Sequence, residues 1–266
     1  MTAVCVGPIA YRGRPTLDRD FANLREAMDA VGVEEAFITA AAPGTTELQR
    51  VNAYYRSEEA YLFAIADAMR TEYRAIVDAG FVLQLDDPRV VVQYDLQDPA
   101  PSLADYRAFA EVRIEALNRA LAGIPEERVR YHLCWGSWHG PHTTDIPLAD
   151  IVDLVLRVRA GAFAIESANA RHAHEWTVWE HAKLAPGKVL IPGVISHNTN
   201  AVEHPELVAQ RIETFARLVG RENVIAGADC GFAQGAFYRR VHPTIMWAKL
   251  RALADGARIA SARLWR

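Results

Sequence analysis

The sequence predicts an α/β fold, a TIM-type (β/α) barrel read as incomplete, on three observations. Short β-branched runs alternate with segments of helical period, the runs are apolar along their whole length, and residues able to hold a metal stand where they end. A strand buried on both faces needs no polar alternation, so a continuous apolar run followed by a helix reads as one step of a parallel sheet. Residues 35–41 make the first such run, followed by a helix over 57–79. Residues 81–85 precede a helix over 102–121, and 129–133 precede one over 148–159. Residues 162–166 precede a shorter helix around 176–181, residues 189–194 precede 204–219, and 224–228 precede 244–260. These six units, joined by right-handed crossovers, fall two short of a closed eight-stranded barrel. Ahead of them lie an extended stretch VCVGPI, a polar turn at 11–15 and an amphipathic helix from Leu17. The expected division is an N-terminal segment and helix, 1–34, packed on an incomplete barrel, 35–266. Bare sheet edges invite aggregation, so the opening segment, a partner subunit, a second copy of the chain or further sequence is expected to close them.

Composition excludes several classes of function. Of 266 residues 51% are apolar and the net charge is −4, which suits a soluble protein with a substantial core. There is no basic excess for nucleic acid. The apolar stretches stop at charges or glycines well short of a membrane span, and MTAVCVGPIAYRGR lacks a signal-peptide layout, so a cytoplasmic protein is expected. Three cysteines, Cys5, Cys134 and Cys230, suit metal or catalytic use in a reducing compartment better than a disulfide framework. Cys5, between Val4 and Val6, reads as a small buried apolar residue. Trp247, on the last helix with Ile245 and Leu250, reads as core, and the charged residues from 203 to 221 read as a solvated helix face.

The chemistry gathers at strand ends. His132 and Cys134 in VRYHLCWG lie two apart on a strand, which puts both side chains on one face where they can grip one ion. A buried histidine beside a small core cysteine is the plain alternative. Glu166 ends the run AFAIE, and a carboxylate there is costly to bury unless it is paired or metal-bound; an ion pair with Arg171 or a helix cap would also satisfy it. Cys230, in GADCGF, follows a strand between glycines that permit close approach. The C-terminal ends of barrel strands converge on one face, so a thiolate-rich metal site is the leading reading. One imidazole, two thiolates and one carboxylate around Zn²⁺ leave a net charge of about −1, poor for making hydroxide and suited to holding a nucleophile. A small-molecule thiol entering there would lose its proton yet stay electron-rich enough to attack the carbon of an alkyl donor.

Other residues take lesser parts. His139, His142, His172 and His174 read as loop residues on the active-site face, some hydrogen-bonding Glu166 or its substrate, with a second metal as the alternative. Trp135 and Trp138 either wall a substrate pocket or pack beneath the loop. Arg171, Asn52 and Tyr54 sit where they can orient a substrate.

In this order and on these elements, HLCWG, IES and DCGF resemble the catalytic half of cobalamin-independent methionine synthase and its shorter relatives, which include epoxyalkane:coenzyme M transferase. The similarity runs from CVGPIAYRG through WAKLRALADGARIAS. The resemblance implies that His132, Cys134, Glu166 and Cys230 hold zinc. It places LQLDDP on the family's Asp-Glu-Pro segment, so Asp86 holds the amino group of the thiol substrate and Asp87 takes the Glu position. PGVISHNTN is similar to the stretch whose histidine protonates the leaving group, which makes His197 the candidate general acid. The implied function is a zinc-dependent thiol S-alkyltransferase of the 5-methyltetrahydropteroyltriglutamate–homocysteine S-methyltransferase type. The alternatives are an epoxyalkane:coenzyme M transferase-like C–S bond enzyme and a partial or non-catalytic subunit needing a partner chain. Asp86 favours an amino-acid thiol over a sulfonate thiol, which would want arginines. The family's Ile-Gly-Ser-like or Val-Gly-Ser-like segment and its Gly-Glu strand are not matched, nor is the duplicated N-terminal half, so a polyglutamyl-folate donor is not implied.

Overall fold

The computed structural model describes residues 3–33, 35–48, 50–136, 143–232 and 240–266. The chain forms two compact units, one of Met1–His132 with Leu154–Gly161 and one of Leu133–Asp153 with Ala162–Arg266.

The first unit opens with β1 (Ala3–Cys5) and α1 (Arg14–Val31), followed by β2 (Phe37–Ala41), α2 (Pro43–Glu47) and β3 (Arg50–Asn52). Then come α3 (Glu58–Asp78), β4 (Val82–Asp86), α4 (Arg89–Asp95), α5 (Leu103–Ala120) and β5 (Val129–Leu133). β2, β4 and β5 pair in parallel, with Ala41 opposite Asp86 and Asp86 opposite His132. Val82, Leu83 and Leu85 are buried, as a strand covered on both faces requires. The long helices start where serines cap them: Ser57 accepts from the Ala60 amide and Ser102 from the Asp105 amide. α2 is tied to α5 by a buried pair, Arg113 donating to both oxygens of Glu47 at 3.0 and 2.9 Å while its guanidinium lies 3.4 Å from the Phe109 ring centre. β1 pairs in parallel with β3, Ala3 opposite Arg50. Cys5 is half-buried rather than core, its thiol donating to the Gly7 carbonyl at 3.3 Å.

The second unit contains β6 (Ala162–Ile165), β7 (Val189–Ile195), α7 (Pro205–Val219), β8 (Gly227–Ala228) and α8 (Pro243–Leu264). β6, β7 and β8 are parallel neighbours. β8 is short: Val224 meets Leu190 in an isolated bridge and the regular ladder resumes only at Gly227. Two glycines allow that approach. A Cβ on Gly193 would lie 2.0 Å from Asp229 Oδ1 and 2.8 Å from its Cα, and one on Gly227 would lie 2.9 Å from Ile191. α7 and α8 close over β7 through Val194, Ile195, Val208, Ala209, Ile212 and Ala260.

The helix expected over 148–159 is a 3-10 turn, Leu148–Asp150, and a single α-turn labelled α6 (Val152–Val155), since a run rich in Ile and Val without a side-chain cap supports little more. The helix around 176–181 is a 3-10 segment, Ala173–Glu180. Trp247 is 66% exposed, because α8 buries the stripe Lys249, Ala252, Gly256 and Ala260 instead. Among the described residues no helix is long and apolar enough to cross a membrane.

Candidate active site

β5 carries His132 and ends at Leu133, so Cys134 follows on the same face, and both side chains are buried. Cys230 comes just after β8 and is half-buried. One ligand atom from each of these three lies within 4.8 Å of the other two. Donors 2.0–2.3 Å from a shared tetrahedral ion sit less than about 4 Å apart, so small side-chain rotations would close the trio on a metal. An imidazole and two thiols also match zinc's preference for nitrogen and sulfur.

Glu166 is not within that trio. It is fully buried after β6, its Oε2 meeting the Trp135 amide at 3.4 Å and the Asn169 side-chain amide at 3.5 Å. Its Oε1 has no hydrogen-bond partner among the described residues. Burial pushes its carboxyl well up from the carboxylate range, Asp229 adds to the effect, and His172, with Arg171, opposes it. A cation beside Oε1 would relieve that cost.

Asp229 organises the surrounding backbone. Fully buried, it accepts from the Ser167 and Ala168 amides at 2.8 and 2.7 Å through Oδ1 and from Asn169 at 3.1 Å through Oδ2. One carboxylate next to Cys230 thus holds the turn that follows Glu166. Trp135, 1% exposed, donates its indole N–H to the Ile146 carbonyl and stacks on His172 with ring centres 4.0 Å apart. His172 Nδ1 lies 2.9 Å from Glu175 and its Nε2 3.5 Å from Asp145. Burial opposes charge on this ring, but the two carboxylates outweigh it and hold its pKa up at about 9.

Asp86 ends β4 half-exposed, its Oδ1 3.9 Å from His132 Nε2. Asp87 is buried and accepts from the Thr45 and Tyr131 hydroxyls, both at 3.1 Å, while burial lifts its pKa to about 6. His197 is 1% exposed just past β7. Arg171 donates through Nε to Asn169, and its Nη2 is buried with no hydrogen-bond partner among the described residues. Asn52 folds back on its own loop, donating to Tyr55 and Ser57 carbonyls and to Glu58. Trp138, His139 and His142 lie outside the described residues. Asp229 and Asn169 are not among the expected site residues; the carboxylate directly before Cys230 in GADCGF is the signal that points to them. Glu203, expected on a solvated helix face, instead pairs at 2.8 Å with the fully buried Lys249, and Arg211 likewise turns inward to the Val194 and Ala168 carbonyls.

Fold and site together define a class: parallel α/β proteins of the TIM-barrel type with a thiol-rich group, able to hold a metal, at strand ends. The family described as the cobalamin-independent synthase catalytic domain matches residues 45–248, and the chain belongs to it. The methionine synthase of Saccharolobus solfataricus is 25% identical over 232 residues, covering 86% of this chain and 59% of that protein. That of Sulfurisphaera tokodaii is 23% identical over 234 residues, covering 87% and 58%. The chain therefore spans about three fifths of the length of the curated relatives it matches. A B12-independent methionine synthase from Shewanella sp. W3-18-1, solved in complex with selenomethionine, superposes with a TM-score of 0.73 at 19% identity over 98% of this chain and 71% of that one. That likeness shows the fold, a TIM-type barrel architecture of which six βα units lie among the described residues.

Proposed function

We propose that this chain catalyses alkyl transfer to a small-molecule thiol, in the manner of cobalamin-independent methionine synthases, with zinc held by His132, Cys134, Cys230 and Glu166. The observation that carries the reading is the convergence of three ligand atoms within 4.8 Å, beside a fully buried carboxylate with one oxygen unpartnered among the described residues. Bound there, zinc would supply the positive charge that keeps a thiol deprotonated at neutral pH.

The chain's own groups do the rest. Asp86, half-exposed next to His132, anchors the ammonium of an amino-acid thiol and so aims its sulfur. Trp135, held by His172 and Ile146, fixes the turn after Cys134, and burial of His132, Cys134 and Glu166 keeps water from competing for the alkyl group. As the new C–S bond forms, the electron pair of the broken bond goes to the donor's leaving nitrogen or oxygen, and the His197 imidazolium protonates it. The selenomethionine in the Shewanella relative supports an amino-acid thioether as product. Arg171 favours a second reading: its buried Nη2 suits a substrate carboxylate or sulfonate, which keeps a coenzyme M-type thiol in contention.

Two measurements test this. Purified protein should contain one zinc per chain and lose it in Cys134→Ser and Cys230→Ser; full zinc in both variants removes the central claim. Zinc-edge X-ray absorption should gain a sulfur neighbour with homocysteine, or with coenzyme M under the second reading, and no change with either thiol eliminates the mechanism.

A further inference from the structure

α8 carries a lysine that this chemistry leaves unused. Lys249 is fully buried, and its ammonium donates to the Ala201 carbonyl and to Glu203 Oε2, the latter at 2.8 Å. Replacing a buried ion pair by apolar side chains of the same size is often neutral or stabilising, so the pair by itself is weak evidence of a stabilising role. What the pair holds is the segment leaving β7. Glu203 Oε1 accepts from the Ser196 amide at 2.8 Å, and Ser196 Oγ donates to Asn198 Oδ1 at 2.8 Å. One carboxylate thus fastens both ends of 196–203, and Lys249 fixes that carboxylate from the neighbouring helix. Residues 199–202 are exposed, so packing does little to define this loop. His197 lies inside the clasp, between the two residues whose polar atoms it orders.

We propose that Lys249 and Glu203 are positioning residues for His197: the buried pair sets the path of 196–203 and hence the aim of the imidazole. This rests on the reading of His197 as the acid. The step it serves breaks the donor's C–N or C–O bond, leaves the electron pair on the heteroatom and moves one proton from imidazolium to that atom. Such a transfer tolerates little misplacement.

The test uses the full chain loaded with zinc, with Lys249→Met, the near-isosteric Glu203→Gln and His197→Gln. Imidazole NMR signals of His197, assigned by their loss in His197→Gln, report its placement without turnover. Alkylation of one thiol by propylene oxide, whose alkoxide needs a proton, is compared with alkylation by methyl iodide, whose iodide leaves without one. Both loosened variants should shift the His197 signals and lower the epoxide-to-iodide rate ratio by about tenfold or more. Unshifted signals in folded Lys249→Met and Glu203→Gln overturn the proposal. So does an unchanged ratio in those two while His197→Gln lowers it. If His197→Gln leaves the ratio unchanged, the acid reading fails, and the NMR signals still decide the positioning. Should Lys249→Met not fold, Glu203→Gln carries both readouts.

Discussion

Asp229 occupies the position of greatest leverage among single residues, since its two oxygens order three consecutive groups after Glu166 while its backbone leads into Cys230. Outer carboxylates of this kind typically alter metal affinity by about 10–100-fold when removed. Asp229→Ala is therefore expected to weaken zinc retention by that order in a chelator competition, with circular dichroism unchanged; equal retention would confine Asp229 to folding. His172 makes a separate prediction from its charge. Asp145, Glu175 and Glu166 face the ring and hold its pKa near 9, above the ordinary value of 6.5. Its stabilisation is thus fully present below about pH 6.5 and lost as pH rises through 9, worth on the order of 3 kcal/mol at about 1.4 kcal/mol per pH unit. Urea unfolding from pH 6 to 10 should show that loss in the native protein and not in His172→Phe, which keeps the stack on Trp135; parallel curves would refute a charged ring. At this scale the sequence was legible where a residue type is rare and ends a strand, as with His132, Cys134 and Cys230. Lys249 and Glu203 were not legible, because their pairing bridges 46 positions and nothing local distinguishes them from a solvated helix face.

Among the elements, strands were easier to read than helices. Each expected run contains a strand or, at 224–228, a bridge and two regular residues, because burial on both faces leaves a continuous apolar signature that needs no partner to recognise. The stretches 148–159 and 173–180 failed as α-helices for the reason that helical period alone does not set pitch; β-branched and aromatic residues without caps tolerate the tighter 3-10 form. Two glycines show what periodicity cannot register. On Gly256 a Cβ would lie 2.5 Å from Val208 and 2.8 Å from the Pro205 carbonyl, so α7 and α8 meet only because that side chain is missing. Gly256→Ala gains up to about 1 kcal/mol of helix propensity and meets an overpacking penalty of about 1–3 kcal/mol. The penalty should win, since Val208 is fully buried and one of the obstructing atoms is backbone. Gly193→Ala should be worse, its Cβ falling on Asp229, and should cost zinc as well as stability. Gly7→Ala, with nothing within 4 Å of the added carbon, is the control and should change neither.

For the molecule as a whole, the candidate ligands reach from His132 to Cys230, so a zinc ion held by all of them exists only once the strands bearing them have assembled. An ion that binds only the folded chain stabilises it by mass action, about 4 kcal/mol when free metal stands a thousandfold above its dissociation constant. For a chain of this size that is roughly 8–16 °C of melting temperature. The metal should therefore raise the calorimetric transition in which the segments bearing Cys134 and Cys230 unfold. Stripping zinc with a chelator should lower that transition and re-adding zinc should restore it. Cys134→Ser and Cys230→Ser should melt near the stripped position and no longer respond to chelator. If native protein and both variants melt alike with and without chelator, the site is not coupled to folding, and the three converging side chains must then be explained by packing alone.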